Sequence, residues 1–102
     1  MANEINAFAA LSEPMRLRIV EKLADRPMSV GEIAAELPIS RPAVSQHLKV
    51  LRDARLVTPE PKGARNIYHV DPHGLAQMRV WLDQMWAAAL GDFKTEVESD
   101  RE

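Results

Sequence analysis

The sequence contains no cysteine among its 102 residues. Disulfides, thiolate metal sites, cysteine nucleophiles and thiol redox sensing are therefore excluded, and a reducing cytoplasm is the compatible location. Glycine is scarce, at four residues, and none belongs to a glycine-rich phosphate loop. No apolar run approaches the roughly 18 residues that span a bilayer, so no membrane partner is expected. The opening Met1-Ala2-Asn3-Glu4-Ile5-Asn6 has an early acid and no basic stretch, unlike a secretory signal. The three histidines are scattered, and no Ser-His-Asp set or carboxylate pair is suggested. No catalytic residue is expected, and an enzyme is not the reading.

What is present is 46% hydrophobic and 27% charged residues. That composition suits one domain, placed at residues 1–97, with 98–102 read as a disordered acidic tail. Folding at this size hides roughly two-thirds of the unfolded chain's surface. The net charge of -2 argues globally against a polyanion partner, yet binding depends on where charge sits. Between residues 39 and 65 there are six bases against two acids (Asp53 and Glu60), a local +4. Residues 92–102 carry five acids against two bases. The middle suits a polyanion and the tail does not, although a merely solvated basic face fits the charge equally well.

Periodicity predicts a first helix around residues 4–10, with Ile5, Phe8 and Ala9 on one side. Ser12-Glu13-Pro14 is a restart signal, and Met15, Ile19, Val20 and Leu23 form the apolar face of a helix reaching Asp25. Ser29 and Glu32 stand at capping-box spacing before a short helix from Val30 to Leu37, stopped by Pro38. Ser40 can cap the next helix, with Arg41 and Pro42 in its first turn and Val44, Leu48 and Leu51 inward. The β-prone runs 56–60 and 66–70 flank Pro61-Lys62-Gly63-Ala64-Arg65, a hairpin with a basic tip. Pro59 and Pro61 donate no hydrogen bond, which restricts them to an open edge or the loop. A last helix starts near Asp71-Pro72 and runs to the mid-nineties. The fold class is therefore mainly α with a small β-hairpin, in the order α-α-α-α-β-β-α.

Two short helices about three residues apart, the second capped and basic outside, describe a helix-turn-helix. The first helix fixes the angle of the second, whose leading turn fits the major groove of double-stranded DNA. Gln46 can pair with adenine and Arg41 with guanine, while Ser40, Ser45 and Lys49 can hold phosphates or base edges. Lys62 and Arg65, beside Gly63, suit a wing on the adjacent backbone. The bland alternative is a helical hairpin whose polar face is only wet.

The string Ala10-Leu11-Ser12-Glu13-Pro14-Met15-Arg16-Leu17-Arg18-Ile19-Val20 resembles the opening helix of the ArsR/SmtB winged-helix repressors. Ser40-Arg41-Pro42-Ala43-Val44-Ser45-Gln46-His47-Leu48-Lys49-Val50-Leu51 resembles their recognition helix, and Gly63-Ala64-Arg65-Asn66-Ile67-Tyr68 their wing. The resemblance covers about residues 8–75. It implies a winged helix-turn-helix transcription regulator that represses as a homodimer on an inverted-repeat operator and leaves when an inducer binds. Ser40, Arg41, Pro42, Ser45, Gln46, His47, Lys49, Lys62 and Arg65 are then the expected DNA-binding residues. His47 is equally readable as a structural hydrogen-bonder. The metal-responsive members' Cys-x-Cys pair aligns with Ser29 and Gly31, which excludes a thiolate site. Asp71-Pro72-His73 matches the first half of their other site, but the answering positions are Gln84 and Ala87. No metal ligand set and no cofactor are expected, and Asp71 reads as a helix cap.

The last helix is apolar on more than one side, through Leu75, Met78, Leu82, Met85 and Ala89 and through Trp86, Leu90, Phe93 and Val97. Such a helix needs partner surface beyond its own small core. Ile5, Phe8, Leu82, Met85, Trp86, Ala89 and Phe93 are the expected dimer interface. The alternative is that Trp81, Met85 and Trp86 line a pocket for an unidentified small-molecule inducer. A winged helix that binds another protein instead of DNA is the competing function.

Overall fold

A computed structural model describes the backbone of residues 2–100 and the side chains of residues 6–91. Five helices and three strands follow in order: α1 (Ala2–Leu11), α2 (Pro14–Asp25), β1 (Met28–Ser29), α3 (Val30–Glu36), α4 (Arg41–Asp53), β2 (Val57–Lys62), β3 (Arg65–Val70) and α5 (Pro72–Asp100). The expected hairpin is present as part of a three-stranded antiparallel sheet of order β1-β3-β2. The added strand is two residues long, pairing Met28 with Tyr68 and Ser29 with Ile67. Two residues carry no alternation, so no sequence period announces it.

Local chemistry explains the boundaries. The N-cap of α2 is Glu13, whose Oε2 accepts from the backbone N–H of Arg16 at 2.8 Å, with Pro14 in the first turn. Ser12 instead donates back to the carbonyl of Ala9 at 2.6 Å and closes α1. Arg26 ends α2 in an extended conformation, as the ring of Pro27 favours for the residue before it. Ser29 and Glu32 form the full capping box, at 3.2 and 3.1 Å. Edge strand β2 accommodates Pro59 and Pro61, opposite Tyr68 and Asn66. Strand pairing continues to Lys62–Arg65, so the tip is shortened to Gly63-Ala64, with Gly63 at φ +61°.

The core gathers Ile19, Val20 and Leu23 of α2, Ile33 and Leu37 around α3, and Val44, Leu48 and Leu51 of α4, under Met28, Leu56 and Val57. Outside it, Arg26 reaches Glu32 (3.2 Å) and Glu36 (3.5 Å), and Lys22 lies 3.9 Å from Glu36. These exposed pairs strap α2 to α3 but contribute little stability. The boundary expected at residue 97 is not marked by an end of structure, because α5 continues through Asp100; residues 101 and 102 lie outside the described ones.

The end of α4 is where α5 is anchored. Arg55, at φ +59°, donates to the carbonyl of Arg52 (2.9 Å), and Leu56 donates to that of Leu51 (2.9 Å). This is the Schellman hydrogen-bond pattern, here with arginine at the position usually given to glycine. The Arg55 carbonyl then accepts from Gly74 N–H at 2.8 Å, and the Leu56 carbonyl from Asp71 N–H at 2.9 Å. A Cβ at position 74 would lie 2.7 Å from the Arg55 carbonyl oxygen and 2.8 Å from that of Ala54. Gly74→Ala is therefore expected to lower stability by about 1–3 kcal/mol through overpacking against backbone. Urea denaturation measures this, and an unchanged midpoint would contradict so close an approach.

Candidate nucleic-acid interface

Helix α4 is held by one side. Val44, Leu48 and Leu51 are buried, while Ser40 accepts from Ala43 N–H at 3.3 Å through its hydroxyl and Pro42 occupies the first turn. Arg41, Pro42, Ser45, Gln46, Lys49 and Arg52 are exposed. His47 stands apart from that set. It is half-buried, with Nδ1 3.9 Å from Oε2 of Glu13, the carboxylate that caps α2. The signal was in the spacing: His47 follows Val44 by three residues, which places it at the flank of the inward stripe.

The wing projects Lys62 and Arg65 from opposing strand ends around Gly63, all exposed. At its base His69 Nε2 lies 2.7 Å from Glu60 Oε2, a cross-strand pair that sequence reading did not single out. Between wing and helices lies an open cleft of about 340 Å³ lined by Val30, Gly31, Arg41, Arg65, Asn66 and Tyr68, among others. The Arg41 guanidinium reaches back to Gly31, its Nη2 3.1 Å from where a Cβ on that glycine would stand.

Some surface cations are paired and others are not. Lys22 and Arg26 are tied to carboxylates. Among the described residues, no ion pair engages Arg41, Lys49, Lys62 or Arg65. Two capping carboxyls of the scaffold are held toward the ionised form. The backbone N–H of Ser29, aided by Arg26, keeps the Glu32 carboxyl below the usual carboxylate range. The backbone N–H of Arg16 does the same for Glu13.

The expected interface residues on α1 and α5 fall into two groups. Leu82, Met85 and Trp86 are 51%, 46% and 69% exposed, and with Ala89 they line one shallow depression of about 400 Å³. Phe8 faces its own chain, edge-on to Trp81 with ring centroids 5.3 Å apart. Trp81 is not among the residues that line that depression. The side chains of Ile5 and Phe93 lie outside the described residues.

At the start of α5, Asp71 Oδ1 accepts from His73 N–H at 3.0 Å and lies 2.6 Å from His73 Nδ1. Desolvation pushes the Asp71 carboxyl up, but these bonds to His73 outweigh it and leave it below its ordinary value. Zinc needs at least three protein ligands. Asp71 and His73 supply two, and Gln84 and Ala87 complete nothing. Among the described residues, no helix is long and apolar enough to cross a membrane.

The family of bacterial regulatory proteins called arsR matches residues 13–58, from the cap of α2 into β2. Over 94 residues, 92% of this chain and 88% of the relative, the sequence is 51% identical to HTH-type transcriptional regulator Rv2034 of Mycobacterium tuberculosis. The chain belongs to the ArsR family. It is also 32% identical over 77 residues to transcriptional repressor SdpR of Bacillus subtilis, covering 76% of this chain and 86% of that one. The ArsR-like transcriptional regulator from Rhodococcus sp. RHA1 shares the fold with a TM-score of 0.79, at 29% identity over 92% of each chain. This ArsR-family protein is a DNA-binding transcriptional regulator with the winged helix-turn-helix fold, not an enzyme.

The lowered carboxyls give the ArsR-family scaffold a defined acid response. A carboxyl held below its unfolded value stabilises the fold above that value, 4.5 for glutamate, and the contribution is lost as pH falls through the folded-state value. Thermal unfolding temperature is expected to drop as pH falls below about 4.5, less steeply in Glu32→Gln. An equal slope in both proteins would remove the capping box from the account.

Proposed function

We propose that the protein is a homodimeric repressor that reads an inverted-repeat operator in the cytoplasm, without the two metal sites of its metal-responsive relatives. The observation that carries this reading is the outer arc of α4. It presents Pro42, Ser45, Gln46 and Lys49 to solvent from a helix fixed by its buried stripe. Gln46 reads an adenine edge, Ser45 and Lys49 hold base edges or phosphates, and the Ser40 cap leads the helix toward the backbone. Lys62 and Arg65 of the wing take the adjacent backbone. His47 contributes through Glu13 to the seating of α4. Residues 1–97 act as the functional unit, and 98–102 take no part in DNA reading.

The dimer is proposed through α5, where Leu82, Met85, Trp86 and Ala89 offer apolar surface that the monomer leaves exposed. Large contiguous apolar surface of this kind marks an association site. A two-fold pair then sets its recognition helices about 34 Å apart, one turn of DNA, matching a palindrome.

Selection of bound duplexes from a random library tests symmetry and spacing together, with an inverted repeat as the expected product. Gln46→Ala is expected to relax preference at one base pair of each half-site, at a cost of about 1–3 kcal/mol. A profile identical to wild type would remove Gln46 from the groove. Trp86→Glu is expected to give a monomer by sedimentation that no longer selects paired half-sites. A dimer that persists would move the seam elsewhere. Absence of binding to any duplex at low salt would favour a protein-binding winged helix instead.

A further inference from the structure

We infer that Arg41 is a phosphate ligand rather than a base reader, and that with Arg65 it forms an anion seat between the recognition helix and the wing. The inference rests on the DNA-reading proposal above and assigns a part of it. Three observations converge on the seat.

The first is direction. Position 41 precedes the buried Val44 by three residues and lies roughly 60° from it around the helix at 100° per residue. Gln46 and Lys49 lie roughly 140–160° away, on the far side. A side chain at 41 therefore leaves the helix on its inner flank, toward α3, and the Arg41 guanidinium is found there against Gly31. The second is the cleft itself. Arg41 from α4 and Arg65 from β3 line the same open space, and among the described residues lining it there is no carboxylate. Neither arginine has an ion-pair partner among the described residues. Glu32, next to Gly31, is spent on the Ser29 N–H and on Arg26. Two uncompensated guanidiniums facing one cleft attract an anion, and planar N–H forks match phosphate oxygens.

The third is Gly31. It is the second residue of α3, and its backbone is not in the left-handed region that would call for glycine. A Cβ there would meet Arg41 Nη2 at 3.1 Å and Cζ at 3.3 Å. The glycine leaves the room in which the guanidinium lies. Since the opposing atoms are the far end of a flexible side chain, a methyl group displaces them without disturbing the fold. Gly31 is thus a positioning residue for Arg41.

Fluorescence anisotropy tests this on the full chain, using a duplex recovered by wild-type selection and a scrambled duplex, between about 50 and 200 mM salt. Arg41→Ala is expected to weaken both duplexes about tenfold and to flatten the salt slope by about one, leaving selected bases unchanged. Arg41→Lys keeps the charge and recovers part of the loss. Gly31→Ala is expected to weaken binding in the same uniform way while unfolding no earlier than wild type on heating. Inorganic phosphate at matched ionic strength should not displace the duplex beyond the effect of chloride. A phosphate-specific loss that Arg41→Ala abolishes would reassign the cleft to a free anion. A change of preference at one base pair with an unaltered salt slope would return Arg41 to the groove, and unaltered affinity would end the assignment. Should wild type bind neither duplex, the regulator reading fails first; should it bind while the variants match it, only this inference fails.

Discussion

The burial of one side of α4 is the constraint on which the other features rest. Val44, Leu48 and Leu51 are each at or near zero exposure, and a fully buried aliphatic side chain contributes roughly 1.5–3 kcal/mol. The Ser40 cap adds about 1 kcal/mol. Three inward side chains at spacings of four and three define the rotation of the helix about its axis. α2, α3 and β2, which pack against it, define its tilt. The outer arc therefore carries almost no structural duty. Its chemistry is free to serve recognition, because no residue there is required to hold the helix in place.

The far end of the same helix determines how the reading surface relates to α5. The Schellman turn puts Arg55 in the left-handed region, which costs an L residue roughly 1–2 kcal/mol. Its hydrogen bonds to Leu51 and Arg52 offset that cost. The turn's own carbonyls then receive Asp71 and Gly74, and the missing Cβ of Gly74 allows backbone to approach backbone. Helix α5, which carries the exposed apolar face, is thus joined to α4 by main-chain bonds rather than by a pliable side-chain layer. In the proposed dimer, the separation of the two recognition helices is a property of this junction.

Most of the architecture was legible because its signals are local. The capping box at Ser29 and Glu32, the stop at Pro38, and the stripe of α4 each act within a few residues, and each is realised. Strand β1 was not legible, since two residues gain their identity only by pairing with β3 from across the chain. The candidate site was legible as a helix but not as a set of directions. Arg41 and His47 lie at the flanks of the buried stripe, three residues either side of Val44. One consequently turns toward Gly31 and the other toward Glu13. Phe8 was likewise readable as apolar, but nothing in its spacing says that Trp81 of its own chain covers it.

The charge distribution follows the same logic of position over sum. A net charge of -2 describes the whole chain, yet a polyanion meets only those cations that lack a nearer partner. On the α2–α3 side, Lys22 and Arg26 are neutralised by Glu32 and Glu36, and salt merely screens pairs already formed. On the α4–wing side, Arg41, Lys49, Lys62 and Arg65 keep their charge uncompensated among the described residues. In the proposed reading these cations release counterions from a duplex on binding and so contribute to the salt dependence of affinity. Two acids of this small domain thus take part in shaping its charge: by engaging Lys22 and Arg26, Glu32 and Glu36 sharpen the contrast between that part of the scaffold and the α4–wing side.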